Sequence, residues 1–327
     1  MIMYMEKTFE RWSCALFLAA ALIMMSCGGQ DGRGAEATVA TGDVYSALRD
    51  SLRVIAAETA GEVGVALLVD GKDTVTVNDV DRYPLMSVFK LHQAVALCHE
   101  LEGQGSTIDT VLDIRRADLD PGTWSPMMRD CTETSFTLSA RRMMEYTLML
   151  SDNNASNLMF SHLLTVARTD SFIATLIPRD GFAIAVTEAE MQRDHHLSQA
   201  NHSSPMSTAL LLERLFHGSI LSPECQSFVC GALQQCRTGM DRISAPIAGE
   251  QGVVISHKTG SGYVNERGQL MAHNDAAYIT LPDGRHYTLV VFVKDFSGSE
   301  QEASAVIARV SALTYRFLRR KGGDLCR

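Results

Sequence analysis

Apolar residues recur at helical spacing over 44–61, and this segment ends in a glycine, as helices commonly do. The next stretch, 62–70, is a short apolar run, and a Gly-Lys turn separates it from a second run over 73–79. Short runs of this kind, bounded by turn residues, predict β-strands. The pattern therefore predicts that the chain begins with a helix followed by a β-hairpin.

The C-terminal part of the chain mirrors this beginning. Three apolar runs over 252–262, 270–281 and 286–295 predict strands, and a Pro-Asp-Gly sequence between the last two predicts a hairpin turn. The segment 299–321 is amphipathic at helical spacing and carries basic residues in its last turn, where they suit the helix dipole. We expect this helix to cover the sheet together with the first one.

Between 84 and 236 helical periodicity dominates instead. The predicted helices cover 88–102, 137–150, 154–166, 206–217 and 222–234. The fold class that follows is α/β plus all-α: an antiparallel five-stranded sheet, flanked by the N- and C-terminal helices, with an inserted helical domain. We assign 43–83 and 237–323 to the sheet domain and 84–236 to the helical domain.

The N-terminus has the pattern of an export signal. Basic residues precede an apolar stretch, 14–27, which is too short to span a membrane comfortably. Two ends compete: a lipoprotein cleavage site before Cys27, which we favour, and a small-residue site at 35–37. We assign 1–27 to the export signal and 28–42 to a linker, and expect a periplasmic protein that a lipidated Cys27 would attach to a membrane.

Composition narrows the class of protein. Of the 327 residues, 46% are hydrophobic and 20% are charged, as in ordinary soluble globular proteins. The net charge of −9 argues against a broad basic surface for nucleic acid. The 8 cysteines include no Cys-x-x-Cys pair, so we expect no zinc ribbon, and their disulfide pairing stays open. We expect a monomer without a cofactor.

Ser87 and Lys90 stand three positions apart at the start of an apolar helix, so their side chains share one face. Burial lowers the pKa of a lysine and makes its neutral amine more accessible as a proton acceptor, which suits an activated serine nucleophile. The alternative is ordinary: a serine that caps the helix and a lysine that extends to water.

Three further polar clusters bear on the choice between these two interpretations of Ser87 and Lys90. Ser151, Asp152 and Asn153 sit between two apolar helices, where they either cap the second helix or point into a cleft. Lys258 belongs to the Lys-Thr-Gly sequence on a predicted strand, and is either an edge-protecting lysine or a cleft residue. Glu188 lies in a stretch, 186–197, with little regular pattern, where most acids are merely solvated.

The three sequences Ser-x-x-Lys, Ser-Asp-Asn and Lys-Thr-Gly, in this order, resemble the motifs of the serine β-lactamase and penicillin-binding protein superfamily. The Glu-Ala-Glu-Met stretch at 188–191 resembles the glutamate loop of class A β-lactamases. This resemblance covers essentially the whole mature chain. It implies hydrolysis of a small-molecule β-lactam through an acyl-serine intermediate.

The resemblance implies a role for each catalytic residue. Ser87 attacks the lactam carbonyl, and Lys90 takes its proton, directly or with Glu188 through a water. Ser151 relays a proton to the departing lactam nitrogen, and Lys258 supports Ser151 electrostatically. Glu188 positions the water that hydrolyses the acyl-enzyme.

It also implies a set of substrate contacts. Asn153 would hydrogen-bond the substrate's side-chain amide, and the backbone N–H groups of Ser87 and Ser261 would form the oxyanion hole. Thr259 and the Ser261 hydroxyl would hold the substrate carboxylate. Gly260 would let the ligand approach the strand backbone.

Trp124, Arg242 and Gln192 are further candidates. Trp124 matches the place of an aromatic residue that flanks the cleft in the family, although packing on its own domain is a close alternative. Arg242 resembles an alternative source of the arginine that binds the substrate carboxylate; a surface salt bridge is the other reading. Gln192 stands where the family has a shorter asparagine beside the glutamate's water.

One departure from the family concerns the loop over 178–205. Many class A enzymes close this loop with an arginine–aspartate pair, but Val186 and Asn201 occupy the corresponding places. The loop must therefore be held differently, and we expect a preference for cephalosporins. Adjacent histidines at 195 and 196 lack metal-ligand spacing, so we expect no metal site.

Two other functions stay open at this point. A penicillin-binding carboxypeptidase or transpeptidase would share the acyl-serine step without the role of Glu188. A non-catalytic lipoprotein would bind β-lactams or muropeptides and would show at most one stoichiometric burst. Steady turnover of a β-lactam separates the first reading from both alternatives.

Overall fold

The structure is a computed structural model that describes residues 44–79 and 82–324. The predicted export signal with Cys27 and the predicted linker lie outside the described residues. The domain boundaries at 83–84 and 236–237 stay predictions.

The described chain alternates short strands and helices around one large sheet. In chain order the strands are β1 (Glu62–Val69), β2 (Asp73–Val77), β3 (Tyr83–Pro84), β4 (Val111–Arg115), β5 (Ser135–Ser139), β6 (Phe182–Ala183), β7 (His202–Ser203), β8 (Val254–Ser261), β9 (Leu270–Thr280) and β10 (His286–Phe296). The helices are α1 (Ser46–Glu58), α2 (Phe89–Gly103), α3 (Pro126–Asp130), α4 (Ala140–Leu150), α5 (Asn153–His162), α6 (Val166–Leu176), α7 (Glu188–Arg193), α8 (Pro205–His217), α9 (Pro223–Gln234) and α10 (Glu300–Asp324).

The predicted antiparallel five-stranded sheet is confirmed, with strand order β2-β1-β10-β9-β8. Strands from both chain ends therefore lie side by side in one sheet. Nearly every residue of β1, β9 and β10 is buried, because helices cover both faces of the sheet. This explains why β1 and β10 appear in the sequence as continuous apolar runs rather than as alternating ones, whereas β9 also buries the polar residues His273, Asn274 and Asp275.

The two faces of the sheet belong to two separate cores. Val65 and Leu67 of β1 pack with α1 and α10, which are the predicted flanking helices. Their neighbours Ala66 and Leu68 point the other way, into the core shared with the helical region. In the described part of the chain, no helix is long and apolar enough to cross a membrane.

The helical region follows the predicted pattern with shifted boundaries. The predicted helix over 137–150 begins later, because 135–139 pairs as a strand with β4 and Ser139 then caps α4. The predicted helix over 154–166 ends at His162, and Thr165 caps a separate helix, α6. The predicted polar stretch between them and α8 also contains helix α7.

Gly64 and Gly231 provide a matched pair of substitutions for testing this packing. A Cβ on Gly64 would lie 2.6 Å from the Tyr83 ring and 2.8 Å from Pro205 Cγ, whereas a Cβ on Gly231 in α9 would meet nothing within 4 Å. We expect Gly64→Ala to lower the free energy of unfolding by about 1–3 kcal/mol through overpacking. Gly231→Ala should raise it by about 0.5–1 kcal/mol, because alanine favours helix. Equilibrium denaturation measures both, and an unchanged Gly64→Ala stability would contradict the packing described.

Candidate active site

Ser87 lies in a short 3-10 turn, Met86–Val88, that leads directly into α2. Met86 has a left-handed backbone with φ of 45°, a conformation that costs a non-glycine residue roughly 1–3 kcal/mol. The surroundings hold the turn in place: Asn274 Nδ2 donates to the Pro84 carbonyl at 2.7 Å, and Leu85 N donates to the Asn201 carbonyl at 2.8 Å. The nucleophile candidate is thus set on a strained but braced turn.

Lys90 is fully buried, and its side chain contacts residues of other predicted polar clusters. Its Nζ donates to Ser87 Oγ at 3.0 Å, to the Ser151 carbonyl at 2.9 Å and to Asn153 Oδ1 at 2.6 Å. Burial lowers the pKa of Lys90, and the Glu188 carboxylate partly opposes this shift. The neutral amine, which can accept a proton from Ser87, is therefore easier to reach here than in water.

Glu188 is the first residue of α7, and only 4% of it is exposed. Thr187 caps this helix and forms a reciprocal capping box with Glu190. Glu188 Oε2 lies 3.3 Å from Lys90 Nζ but has no hydrogen-bond partner. An ammonium has three N–H donors, and those of Lys90 already serve the three acceptors above. The carboxylate therefore keeps a buried oxygen available as a proton acceptor.

Ser151 ends α4 in a left-handed conformation with φ of 60°. This conformation directs both of its oxygens to lysines: the carbonyl accepts from Lys90, and Oγ accepts from Lys258 Nζ at 3.0 Å. Asp152 fixes the corner, because its buried carboxylate accepts from Ser125 Oγ and from the backbone N–H groups of Met127 and Ala155. The Ser-Asp-Asn sequence thus acts both as a helix cap and as a wall of the cleft.

Lys258 is fully buried on β8. Burial lowers its pKa to about 7; the nearby Lys90 ammonium acts in the same direction, and Cys236 opposes the shift. A lysine with this pKa can exchange a proton near neutral pH, and its hydrogen bond to Ser151 Oγ gives that proton a direct path.

Strand β8 passes very close to the turn that carries Ser87. A Cβ on Gly260 would lie 2.5 Å from the Leu85 carbonyl oxygen and 3.1 Å from Ser87 N. Only glycine fits at this crossing. The close approach places β8 beside the nucleophile, so the Lys-Thr-Gly sequence and Ser87 border the same groove.

Arg242 reaches the same strand from the segment after α9. Its Nη1 donates to the carbonyl oxygens of Gly260 at 3.1 Å and Asn274 at 2.6 Å, and its Nη2 donates to Ser261 Oγ at 2.6 Å. Thr259 Oγ1 lies 2.6 Å from Thr238 Oγ1. The buried guanidinium therefore brings a positive charge to the hydroxyl of Ser261. This geometry contradicts the reading of Arg242 as a surface salt-bridge residue.

Trp124 and Gln192 lie at the margin of the groove. Trp124 is 55% exposed and donates from Nε1 to the Leu150 carbonyl at 2.9 Å, while the Arg129 guanidinium stacks on its ring. The adjacent Thr123 accepts from Asn153 Nδ2 at 2.8 Å. Gln192 stands one helical turn after Glu188 and is half-buried. The substrate roles of Trp124 and Gln192 stay predictions.

Asn201 holds the loop that follows Pro178. Its buried Oδ1 accepts from Ala185 N at 2.7 Å and Val186 N at 3.0 Å, and its Nδ2 donates to the Val186 carbonyl at 2.8 Å. The Asn201 side chain is thus joined by hydrogen bonds to Val186, and these are the two positions where the family's arginine–aspartate pair is missing. The stretch around Glu188 is also regular rather than patternless, and its Thr-x-x-Glu sequence was the capping signal.

The histidines of this loop lie apart from one another. His195 stacks on the Tyr263 ring, His196 lies 3.6 Å from Glu266 Oε1, and His202 contacts Arg82. None of these histidines belongs to a group of metal-ligand side chains among the described residues.

The sequence alone did not predict a cluster of buried polar side chains around His257 of β8. His257 Nδ1 lies 3.0 Å from Asp275 Oδ1, and Cys236 Sγ lies 3.4 Å from Thr238 Oγ1, which in turn contacts Thr259. His257 lowers the pKa of the buried Cys236 thiol to about 7, against the effect of burial. The pairing of β8 with β9 brings His257 to Asp275, and this cannot be read from the sequence. The only sequence signal was that His257 is adjacent to Lys258.

Comparison with known proteins agrees with this arrangement. Residues 47–318 match the family described as the β-lactamase enzyme family. A β-lactamase of Phocaeicola vulgatus is 48% identical over 314 residues, which cover 96% of this chain and 98% of that protein. The crystal structure of the extended-spectrum β-lactamase TLA-3 is similar with a TM-score of 0.79 and 29% identity, over 83% of this chain and 98% of that one. A class A β-lactamase of Bacteroides cellulosilyticus, 24% identical, has the same fold with a TM-score of 0.79 over 84% of this chain and 98% of that one.

The His257–Asp275 pair predicts a pH-dependent contribution to stability. Burial alone lowers the pKa of His257, but the Asp275 carboxylate, assisted by Cys236, outweighs it and raises the pKa from 6.5 to about 10. The stabilisation is therefore complete below pH 6.5 and is lost as the pH rises towards 10. We expect His257→Gln to destabilise the protein by about 3 kcal/mol near pH 6, because it leaves a buried carboxylate without its charged partner.

Thermal or denaturant unfolding at several pH values between 6 and 10 measures this effect. The difference from the parent should shrink steadily across that range. His162→Gln, at the exposed end of α5, serves as the control and should show no such trend. A deficit of constant size for His257→Gln would show that the residue stabilises by packing alone.

Proposed function

Because this chain belongs to the β-lactamase enzyme family, as a class A serine β-lactamase that hydrolyses β-lactams, we propose that its turnover depends on the contacts around Lys90. One observation carries this proposal: the buried Lys90 Nζ lies within 3.3 Å of Ser87, Ser151, Asn153 and Glu188 oxygens. Family membership favours hydrolysis over the two alternatives considered above, a cell-wall peptidase and a non-catalytic binding lipoprotein.

In the acylation step we assign the nucleophile to Ser87. Its Oγ bonds to the lactam carbonyl carbon as its proton passes to the neutral Lys90 amine 3.0 Å away. The C–N bond of the lactam ring then breaks, and the ring nitrogen takes the hydroxyl proton of Ser151. Lys258, 3.0 Å from Ser151 Oγ, supplies the replacement proton.

In the deacylation step we assign the general base to Glu188. An acyl-serine ester is stable until a water is activated, so a carboxylate beside Ser87 decides whether the enzyme turns over. Glu188 Oε2, 3.3 Å from Lys90 Nζ, accepts a proton from that water, whose oxygen attacks the ester carbonyl. The ester bond then breaks, the proton that Lys90 took during acylation returns to Ser87 Oγ, and the ring-opened acid is released. Glu188 passes its proton to solvent, and Lys258 regains one from solvent.

The positive charge of Arg242 supports binding of the substrate carboxylate at Ser261 and Thr259. Arg242 already donates to Ser261 Oγ, so a carboxylate that accepts from this hydroxyl approaches a buried cation. The backbone N–H groups of Ser87 and Ser261 are assigned to the oxyanion hole, on the two sides of the Gly260 crossing.

Replacing the Glu188 carboxylate should separate the two steps. Glu188→Gln keeps the side-chain volume but removes the base, so we expect steady-state kcat on a chromogenic cephalosporin to fall by about 10²–10⁴-fold. Acylation should persist, and intact-mass spectrometry should show the acyl-enzyme accumulating. Glu190→Gln, on the same helix and still able to form the capping box, should turn over normally. Normal deacylation by Glu188→Gln would exclude the assigned role.

We also propose a preference for cephalosporins over penicillins. Gln192 replaces a shorter amide beside Glu188, and Asn201 holds the loop in place of an ion pair. TLA-3, one of the similar structures, is described as an extended-spectrum enzyme. We expect kcat/KM for cephalothin to exceed that for penicillin G by about tenfold, or ~1.4 kcal/mol in activation free energy. A ratio of one or below would contradict this preference.

For localisation we propose export to the periplasm as a monomer, with a lipid on Cys27. A lipidated chain should fractionate with membranes, and Cys27→Ser should move it to the soluble fraction. Cys14→Ser, within the apolar part of the signal, is the control. A parent found in the soluble fraction, like Cys27→Ser, would favour cleavage at 35–37 instead.

A further inference from the structure

Three potential metal ligands lie close together where the last turn of α8 meets the start of β10. Glu213 and His217 are one turn apart on α8, and His286 is the first residue of β10. Their ligand atoms all lie within 4.8 Å of one another. From this geometry we propose that Glu213, His217 and His286 bind a zinc ion, in a site separate from the catalytic groove.

The donor types and distances fit zinc. Two imidazole nitrogens and one carboxylate oxygen form a common zinc ligand set, with metal–ligand bonds of about 2.0–2.2 Å. In a tetrahedron such bonds place the donors about 3.3 Å apart. His286 Nε2 lies 3.5 Å from Glu213 Oε2, and His217 Nε2 lies 3.9 Å from the same oxygen. The donor atoms, which lie up to 4.8 Å apart, must approach one another by up to about 1.5 Å through side-chain rotation.

A second observation points to a missing partner. His286 Nε2 is buried and has no hydrogen-bond partner, although it faces Glu213 Oε2. Thr288 Oγ1 donates to Glu213 Oε1 at 2.6 Å, which orients the carboxylate and leaves Oε2 towards the histidines. On the other side of the ring, His286 Nδ1 lies 3.7 Å from Asp70 Oδ1. A carboxylate behind a histidine ligand is a common outer-shell arrangement in zinc sites.

Two contacts of His217 compete with the metal. Its Nε2 lies 2.8 Å from the Tyr278 hydroxyl, and its ring centroid lies 4.1 Å from that of the His286 ring. Zinc would have to replace that hydrogen bond and turn the His217 ring. His217 is the last residue of α8, and its side chain is 46% exposed, so solvent rather than protein borders part of the ring. A bound ion would join the end of α8 to β10, which predicts a gain in stability rather than a change in catalysis.

The site could not be anticipated from sequence. Only Glu213 and His217 are close along the chain, and the third ligand comes from the C-terminal hairpin. We expected no metal site because the histidines lack metal-ligand spacing along the sequence. Such spacing cannot reveal a ligand that the fold brings in from a distant segment.

Titration of untagged, chelator-treated protein with Zn²⁺ tests the proposal. We expect one zinc per chain by isothermal calorimetry, and a rise in Tm of roughly 5 °C at free zinc about 100-fold above Kd. Glu213→Gln, His217→Ala and His286→Ala should each weaken zinc binding at least tenfold. Their Tm without zinc shows whether each variant is folded, and His217→Ala at the helix end should be the least disturbed.

Two matched variants sharpen the result. His162→Ala removes an exposed histidine elsewhere and should leave zinc affinity unchanged. Tyr278→Phe removes the competing hydrogen bond and should keep or strengthen it. Co²⁺ bound in place of zinc should show the visible absorption of a tetrahedral site. Absence of stoichiometric binding, or binding that survives both His217→Ala and Glu213→Gln, would overturn the proposal. Hydrolysis by the zinc-free parent is independent of this site, so its presence or loss distinguishes failure of the zinc proposal from failure of the catalytic one.

Discussion

The burial of two lysine ammonium groups around Ser151 is the constraint on which the rest of the site depends. Moving a charge out of water costs several kcal/mol, and the protein offsets this cost by giving Lys90 three oxygen acceptors and a nearby carboxylate. The remaining penalty appears as lowered pKa values for both lysines. That penalty is useful, since it favours a neutral Lys90 amine that can accept the Ser87 proton, and it lets Lys258 pass a proton to Ser151 near neutral pH.

Several local strains exist only because the surrounding fold holds them. Met86 and Ser151 both have left-handed backbones, and Gly260 crosses the Ser87 turn with no space for a Cβ. Each feature is unfavourable or restrictive in isolation. Asn274, from the middle of the sheet, helps hold the turn through its hydrogen bond to the Pro84 carbonyl. The stability of the sheet therefore offsets the unfavourable backbone conformations beside the groove.

The loop around Glu188 shows how the same constraint is met with different side chains. The carboxylate must stay beside Lys90 while the loop that carries it crosses the surface. Asn201 does this with three hydrogen bonds to backbone groups, and the capping box around Thr187 fixes the start of α7. Hydrogen bonds from one buried amide thus hold the two loop positions that lack the family's ion pair, because a buried amide satisfies several backbone groups at once. The start of the loop has a different ion pair, between Arg179 and Asp170.

The sequence by itself determined the five strands of the large sheet, most helices and the four polar clusters, because periodicity and short motifs are local properties of the chain. It missed the β4–β5 pair and the short strands β3, β6 and β7, which are too polar or too brief to leave an apolar pattern. Only the tertiary structure decided which distant side chains meet: Arg242 with Ser261, His257 with Asp275, and Glu213 with His286. Strand register and helix packing set these meetings, and neither is encoded in the spacing of residues along a single segment.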